Sequence, residues 1–184
     1  MHPAEASSPP RPIAGLPMYD WPEVREATDA LWAQLRAALE ARGFAPPAAL
    51  SRHLGLFDLW QDPGLLLGQT CGLPLVRHLA DTVCVLGAPD HGVGGCPPGH
   101  YCSVVVVARE SLATGLEDLR GTRLAFNHPG SQSGEGALRH LLAPLAGGGP
   151  WFSQVIETGS HRAALAAVAN GGGEAATVER VSFR

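Results

Sequence analysis

The stretch from Leu124 to Leu142 constrains the fold more tightly than any other part of this chain. An apolar run, Leu124-Ala125-Phe126, ends in the polar turn Asn127-His128-Pro129-Gly130-Ser131-Gln132-Ser133-Gly134-Glu135-Gly136, and the helical pattern Ala137-Leu138-Arg139-His140-Leu141-Leu142 follows. A buried strand that feeds a helix through a small-residue turn is the repeating unit of a parallel, helix-covered sheet. The turn also carries chemistry. Ser131 and Ser133 offer hydroxyl donors, Gly134 and Gly136 let a ligand approach the backbone, and the first N–H groups of the helix point into the turn. Those features suit an oxyanion. They also suit a serine N-cap that satisfies the helix and binds nothing, and this stretch alone leaves both readings open.

The same unit recurs. Gly64-Leu65-Leu66-Leu67-Gly68 reads as a strand, Gln69-Thr70-Cys71-Gly72 as a small-residue turn, and Leu73 to Leu79 as a helix. Phe152 to Glu157 reads as a strand whose turn, Thr158-Gly159-Ser160-His161, caps a helix from Arg162 to Asn170 with Leu165 and Val168 inward. Thr82 to Ala88 reads as a further apolar strand. His100 to Ala108 has the highest β-branched content, and it is expected to cross into a second lobe. Leu116 to Gly121 forms a helical turn with a glycine stop, and Gly147-Gly148-Gly149-Pro150 ends the helix after the serine turn. Near the start, Val24, Ala27, Leu31, Leu35, Ala38 and Leu39 recur at helical spacing between Trp21 and Arg42, with Asp20 placed as N-cap, Pro22 in the first turn and Gly43 as the stop. Between Pro46 and Pro63, a short helix and a turn are expected.

Charge narrows the function. Thirteen basic against 17 acidic residues give a net charge of -4, so the chain has no global basic field for nucleic acid or an anionic membrane, and anion binding must come from local dipoles and hydroxyls. No apolar run reaches membrane-spanning length. Residues 1–12 read as a disordered, Pro-rich tail without the basic and apolar regions of a secretory signal, which places the chain as written in the cytoplasm, or in the periplasm if a leader was lost. Cys71, Cys84, Cys96 and Cys102 lack CxxC spacing and read as buried or incidental thiols. No histidine-cysteine pattern calls for a metal, and nothing calls for a cofactor.

Taken together, Leu16-Pro17-Met18-Tyr19-Asp20, Gly68-Gln69-Thr70-Cys71-Gly72, Tyr101-x-Ser103 before a valine run, Leu116-x-Asp118-Leu119-Arg120-Gly121, Ser131-x-Ser133-Gly134 and Thr158-Gly159-Ser160-His161 resemble one family, in order, from about Ile13 to the last residues. The resemblance is to the phosphate/phosphonate substrate-binding proteins of ABC transporters. It implies a type 2 periplasmic-binding fold, in which two α/β lobes close on a small ligand, with residues 13–100 as the first lobe and 101–184 as the second. It further implies a phosphonate-cradling loop at Ser131, Ser133 and Gly134, an anion-facing turn at Ser160 and His161, and cleft-facing positions at Tyr19, Gln69, Thr70 and Tyr101. A transporter permease is the implied partner. Three departures accompany the resemblance. The start as written does not read as an export signal, Glu179 is the nearest match to an expected acidic residue, and the sequence as written stops about where the family re-enters its first lobe, so that lobe is expected to be incomplete.

Two other readings share the fold. An enzyme would need a titratable group with an activating partner, for which His161, Cys71 and Glu135 are available without any visible nucleophile-base-orienter spacing. A ligand-sensing domain would need an effector segment. The leading expectation is a binding module for a small oxyanion, without catalysis.

Overall fold

The structure, a computed structural model, describes residues 10–183, so most of the expected tail lies outside the described residues. The chain divides into two compact units, one reaching to Cys71 and including His78–Val83, the other combining Gly72–Arg77 with the residues from Cys84 onward.

The first unit holds a two-stranded parallel sheet of β1 (Ile13–Gly15) and β2 (Leu65–Gly68). Helix α1 (Arg25–Glu40) follows a 3-10 turn, Pro22–Val24, and ends at Gly43, whose φ of 83° is the left-handed conformation that glycine tolerates best. The buried stripe of α1 keeps Leu35 and Leu39 from the leucine spacing but is centred on Trp32 instead of Leu31. Trp32 is its buried anchor, with Leu35 and Leu39 beside it against Ala14 and Leu50, while Val24 and Leu31 are exposed. The large indole buries more apolar area than Leu31 and turns the helix accordingly. Asp20 does not cap the helix either. Its carboxylate takes the Arg52 guanidinium at 2.5 Å, and Arg52 also reaches Asp29 on α1 at 2.7 Å, which holds the chain entering the helix against the segment after Leu50. The helix expected between Pro46 and Pro63 is α2 (Leu56–Trp60), and Trp60 donates its Nε1 proton to the Gln69 carbonyl at 2.9 Å. After β2, the chain passes into residues of the second unit, where helix α3 (Gly72–Pro74) continues as a wider i→i+5 turn over Leu75–Leu79, whose last two residues belong to the first unit again.

The apolar run Thr82 to Ala88 forms no strand, and Val85 and Leu86 are exposed. β propensity is realised only against a neighbouring strand, and this run pairs with none among the described residues.

The second unit is built on a four-stranded mixed sheet of β3 (Ser103–Val107), β4 (Arg123–Phe126), β5 (Gln154–Glu157) and β6 (Ala175–Glu179), ordered β3-β6-β4-β5. Strands β4, β5 and β6 are parallel, and β3 runs antiparallel to β6. Helix α4 (Ala137–Leu142), preceded by a wide turn over Gln132–Gly136, covers one face, where Leu138 and Leu142 pack on Leu124, Ala175 and Trp151. Helix α5 (His161–Ala169) covers the other, where Ala164 and Val168 pack on Ala125, Ala176 and Val178. Strand β6 lies between β3 and β4 with a helix over each face, and every one of its residues is buried, whereas the edge strand β5 is largely exposed.

Candidate functional site

In the second unit, adjacent parallel strands β4 and β5 deliver their turns side by side. Phe126 registers with Glu157, and beyond that pair the Phe126 carbonyl accepts Thr158 N at 2.9 Å and Thr158 Oγ1 at 2.7 Å, while the Asn127 carbonyl accepts Gly159 N at 2.6 Å. These bonds continue the ladder past the strands and fix one turn against the other.

The first turn closes with Gly130 at φ 81° and Ser131 N donating to the His128 carbonyl at 3.3 Å. Glu135 reaches back to Gly130 N at 2.6 Å and holds Arg139 at 2.6 Å. The Gly130 N–H, more than Arg139, keeps the Glu135 carboxyl below the usual carboxylate range. Ser131 is the N-cap: its Oγ accepts Gly134 N at 3.0 Å, and its carbonyl accepts both Glu135 N and Gly136 N, which opens the first turn to i→i+5 spacing. Turns of that kind recur at functional sites. Gly134 is required there because a Cβ would stand 1.9 Å from Asn127 Oδ1.

Asn127 ties the cluster together. Its Nδ2 donates to Ser131 Oγ at 3.0 Å and lies 3.4 Å from His161 Nε2, which in turn stands 3.0 Å from Ser133 Oγ. Ser131, Ser133 and Asn127 are buried, at 1%, 3% and 6% exposure, so these polar groups depend on one another and on whatever enters the site. Burial holds the His161 pKa below the ordinary histidine value, opposed by the nearby Glu179 charge and by the Thr177 backbone, with His128 acting in the same direction as burial. The imidazole is therefore neutral at pH 7. Three buried atoms of this region have no hydrogen-bond partner: Asn127 Oδ1, His161 Nδ1 and Thr177 Oγ1.

Four of the expected residues, Ser131, Ser133, Gly134 and His161, thus come together. Ser160 stands next to His161 but is exposed, and its side chain caps α5 by accepting Ala163 N at 3.1 Å. Tyr101 sits at the same sheet edge, one residue before the Cys102 carbonyl that accepts Arg180 N at 2.9 Å. Glu179 is 3% exposed and holds Ser182 through its backbone N–H and hydroxyl. Tyr19, Gln69 and Thr70 belong to the first unit. Gln69 follows β2 directly and accepts Met18 N on its Oε1 at 3.3 Å, Tyr19 packs edge-on against Trp21, and the Thr70 hydroxyl lies 3.4 Å from the Cys71 carbonyl. The four cysteines are free thiols, with Cys84 exposed and the others half-buried.

The family of periplasmic substrate-binding proteins of phosphonate ABC transporters matches residues 74–184, a span that contains the whole serine-histidine cluster. This chain belongs to that family. Among solved structures, PhnD1 from Prochlorococcus marinus (MIT 9301), in complex with methylphosphonate, matches with a TM-score of 0.69 and 19% identity over 96% of this chain. That likeness shows the fold, and the type 2 periplasmic-binding architecture expected from the sequence is the one observed. The chain spans 66% of the length of PhnD1, just under two thirds. No curated protein matches the sequence. No helix among the described residues is long and apolar enough to cross a membrane.

Within the second unit's cluster, Asn127 and Thr177 are the residues that sequence reasoning passed over. Asn127 lies within the stretch singled out first, but its reach to both Ser131 and His161 is a consequence of strand register. Thr177 lies on β6, which the sequence did not announce.

Proposed function

We propose that this chain binds a small phosphorus oxyanion, a phosphonate or phosphate, as the solute-binding component of a transport system or a derivative of one. The observation that carries the reading is the convergence of Ser131, Ser133 and His161 at the carboxyl ends of parallel strands, over two helix starts. Ligands of open α/β sheets sit at such strand ends, and helix N-termini favour anions through their free N–H groups and dipole. Ser131 Oγ already accepts two N–H groups, from Gly134 and Asn127, so its own proton is left to donate to Ser133 Oγ, 3.5 Å away, or to a ligand. Tyr101 and the first turn of α5 at Ser160 complete the second unit's share. On the first unit, Tyr19, Gln69 and Thr70 are assigned to ligand contact because they follow the carboxyl ends of β1 and β2. A permease is the partner this reading calls for.

The Ser133–His161 contact has the form of a nucleophile and a base, yet Nδ1 lacks the orienting carboxylate that completes hydrolytic triads. Binding without catalysis is therefore the reading adopted.

Calorimetric titration of the chain with methylphosphonate, phosphate and sulfate tests it. Saturable binding of a phosphorus oxyanion, lost in a Ser131→Ala/Ser133→Ala double variant that still melts cooperatively, is the expected result. Wild-type protein that binds none of the three would leave the two serines as helix caps.

A further inference from the structure

We infer, resting on the oxyanion reading above, that the site selects oxyanions that still carry a proton, a phosphonate or phosphate monoanion with one P–OH, because Asn127 and Ser133 keep His161 Nε2 as a hydrogen-bond acceptor. His161 Nε2 is enclosed by donors. Its polar neighbours are Ser133 Oγ at 3.0 Å and Asn127 Nδ2 at 3.4 Å. An amide nitrogen donates and never accepts. A proton on Nε2 would point at the Asn127 N–H, whereas a lone pair there is met favourably by both neighbours. A neutral imidazole carries one N–H, so with Nε2 held as an acceptor the proton sits on Nδ1.

Asn127 Nδ2 therefore does two things. It fills Ser131 Oγ as an acceptor, so that Ser131 must donate, and it holds the His161 tautomer in which Nε2 must accept. When a ligand arrives, the Ser133 hydroxyl turns from Nε2 to a ligand oxygen, and Nε2 is left to find another donor. A P–OH supplies it. A fully ionised phosphonate oxygen would instead face the lone pair of a neutral ring, and the acceptor would stay unpaired in a buried site, where that is costly. The other charges facing the ring are Glu179 from β6, which favours its protonation, and His128 from the turn after β4, which opposes it.

Methanesulfonate is the discriminating probe, since it matches the methylphosphonate monoanion in shape and charge but has no exchangeable proton. Calorimetry with both ligands, across a pH range spanning the second ionisation of methylphosphonate, gives the test. Methylphosphonate affinity is expected to fall about tenfold per pH unit above that ionisation, as the binding species is titrated away. Methanesulfonate is expected to bind about ten- to a hundredfold more weakly, with little change over the same range, which controls for titration of the protein. Asn127→Asp places an acceptor opposite Nε2, draws a proton onto it, and should collapse the methylphosphonate-to-methanesulfonate ratio towards one. If that variant does not fold, the two wild-type profiles decide alone. Methylphosphonate affinity that stays level or rises with pH, or methanesulfonate within threefold of it, overturns the inference while the oxyanion site stands. Absence of binding by either ligand at every pH removes the oxyanion reading and this inference with it.

Discussion

Ser133 and His161 meet across two successive strand-to-helix turns, Oγ to Nε2 at 3.0 Å, though 28 positions separate them in the sequence. The contact exists because β4 and β5 are parallel neighbours in register, Phe126 opposite Glu157, so that both turns leave the sheet at the same height. Register by one residue decides which side chains reach the site. Helices α4 and α5 then depart to opposite faces, and their first turns remain together at the sheet edge.

Ser133→Ala removes one hydroxyl that serves His161 in the free site and an anionic oxygen in the bound one. A hydrogen bond to a charged group contributes about 1.5–3 kcal/mol, so affinity for methylphosphonate should drop about ten- to a hundredfold. Stability should change far less, because Ser131, and not Ser133, caps the helix. Calorimetry and a thermal melt on the same sample separate the two effects.

Gly134→Ala should damage fold and site together. The new Cβ would lie 1.9 Å from Asn127 Oδ1 and 3.2 Å from Ser131 Oγ, in a place where both neighbours are buried. Overpacking of this kind costs about 1–3 kcal/mol. Adding Asn127→Ala to Gly134→Ala removes the clash, so a double-mutant cycle by chemical denaturation should show strong coupling, with the double variant more stable than the sum of the single changes requires.

The turns were legible in the sequence because their residues are local: Ser131 and Ser160 cap the helices that their spacing announces, and Gly43, Gly121 and Gly130 take the positive φ their turns need. The neighbours of those turns were not legible. Strand β6, Ala175–Glu179, is rich in alanine and follows three glycines, so it carries little β propensity of its own; it is a strand because only small or slender side chains fit between two covered faces. Thr82 to Ala88 shows the converse, a β-rich run left without a partner strand. On α1 the periodicity was right and Leu35 and Leu39 face the core as expected, but Trp32 takes the place expected of Leu31. Asn127 needed the register of β4 on β5 before its role could be seen.

Stability should fall in two steps as the pH is lowered. Burial holds the folded His161 pKa below its unfolded value of about 6.5, so the unfolded chain takes up that proton first. Its contribution is complete above that pH and is lost as the pH falls through the lower folded value. The second step belongs to the carboxylates. The Arg123 side chain and backbone N–H hold Glu174 down to about 2, and Arg52 lowers Asp20, so their contributions are present above the ordinary carboxylate range and vanish as the pH approaches 2. Glu174 is solvent-accessible, which keeps its share small. A melting series against pH should show the upper step disappear in His161→Gln and the lower one flatten slightly in Glu174→Gln.

Ala164→Leu tests whether packing beneath α5 positions His161. Ala164 is fully buried against Ala125 and Ala176, and it lies one turn from the helix start that carries His161. Extra methylenes in that contact should cost about 1–3 kcal/mol and push the helix off the sheet. A shift of a few tenths of an ångström at the first turn would stretch the 3.0 Å Ser133–His161 contact, so ligand affinity should fall along with the melting temperature. Leu119→Ala serves as the comparison: it opens a cavity of similar or greater cost on the opposite face, among Leu124, Leu142 and Trp151, away from α5. With both variants titrated well below their melting temperatures, Ala164→Leu should lose at least about fivefold in methylphosphonate affinity while Leu119→Ala stays near wild type. Equal affinities for the two would mean that the α5 start is held by its own cap and the strand turn, and that the alanine contact beneath it contributes to stability alone.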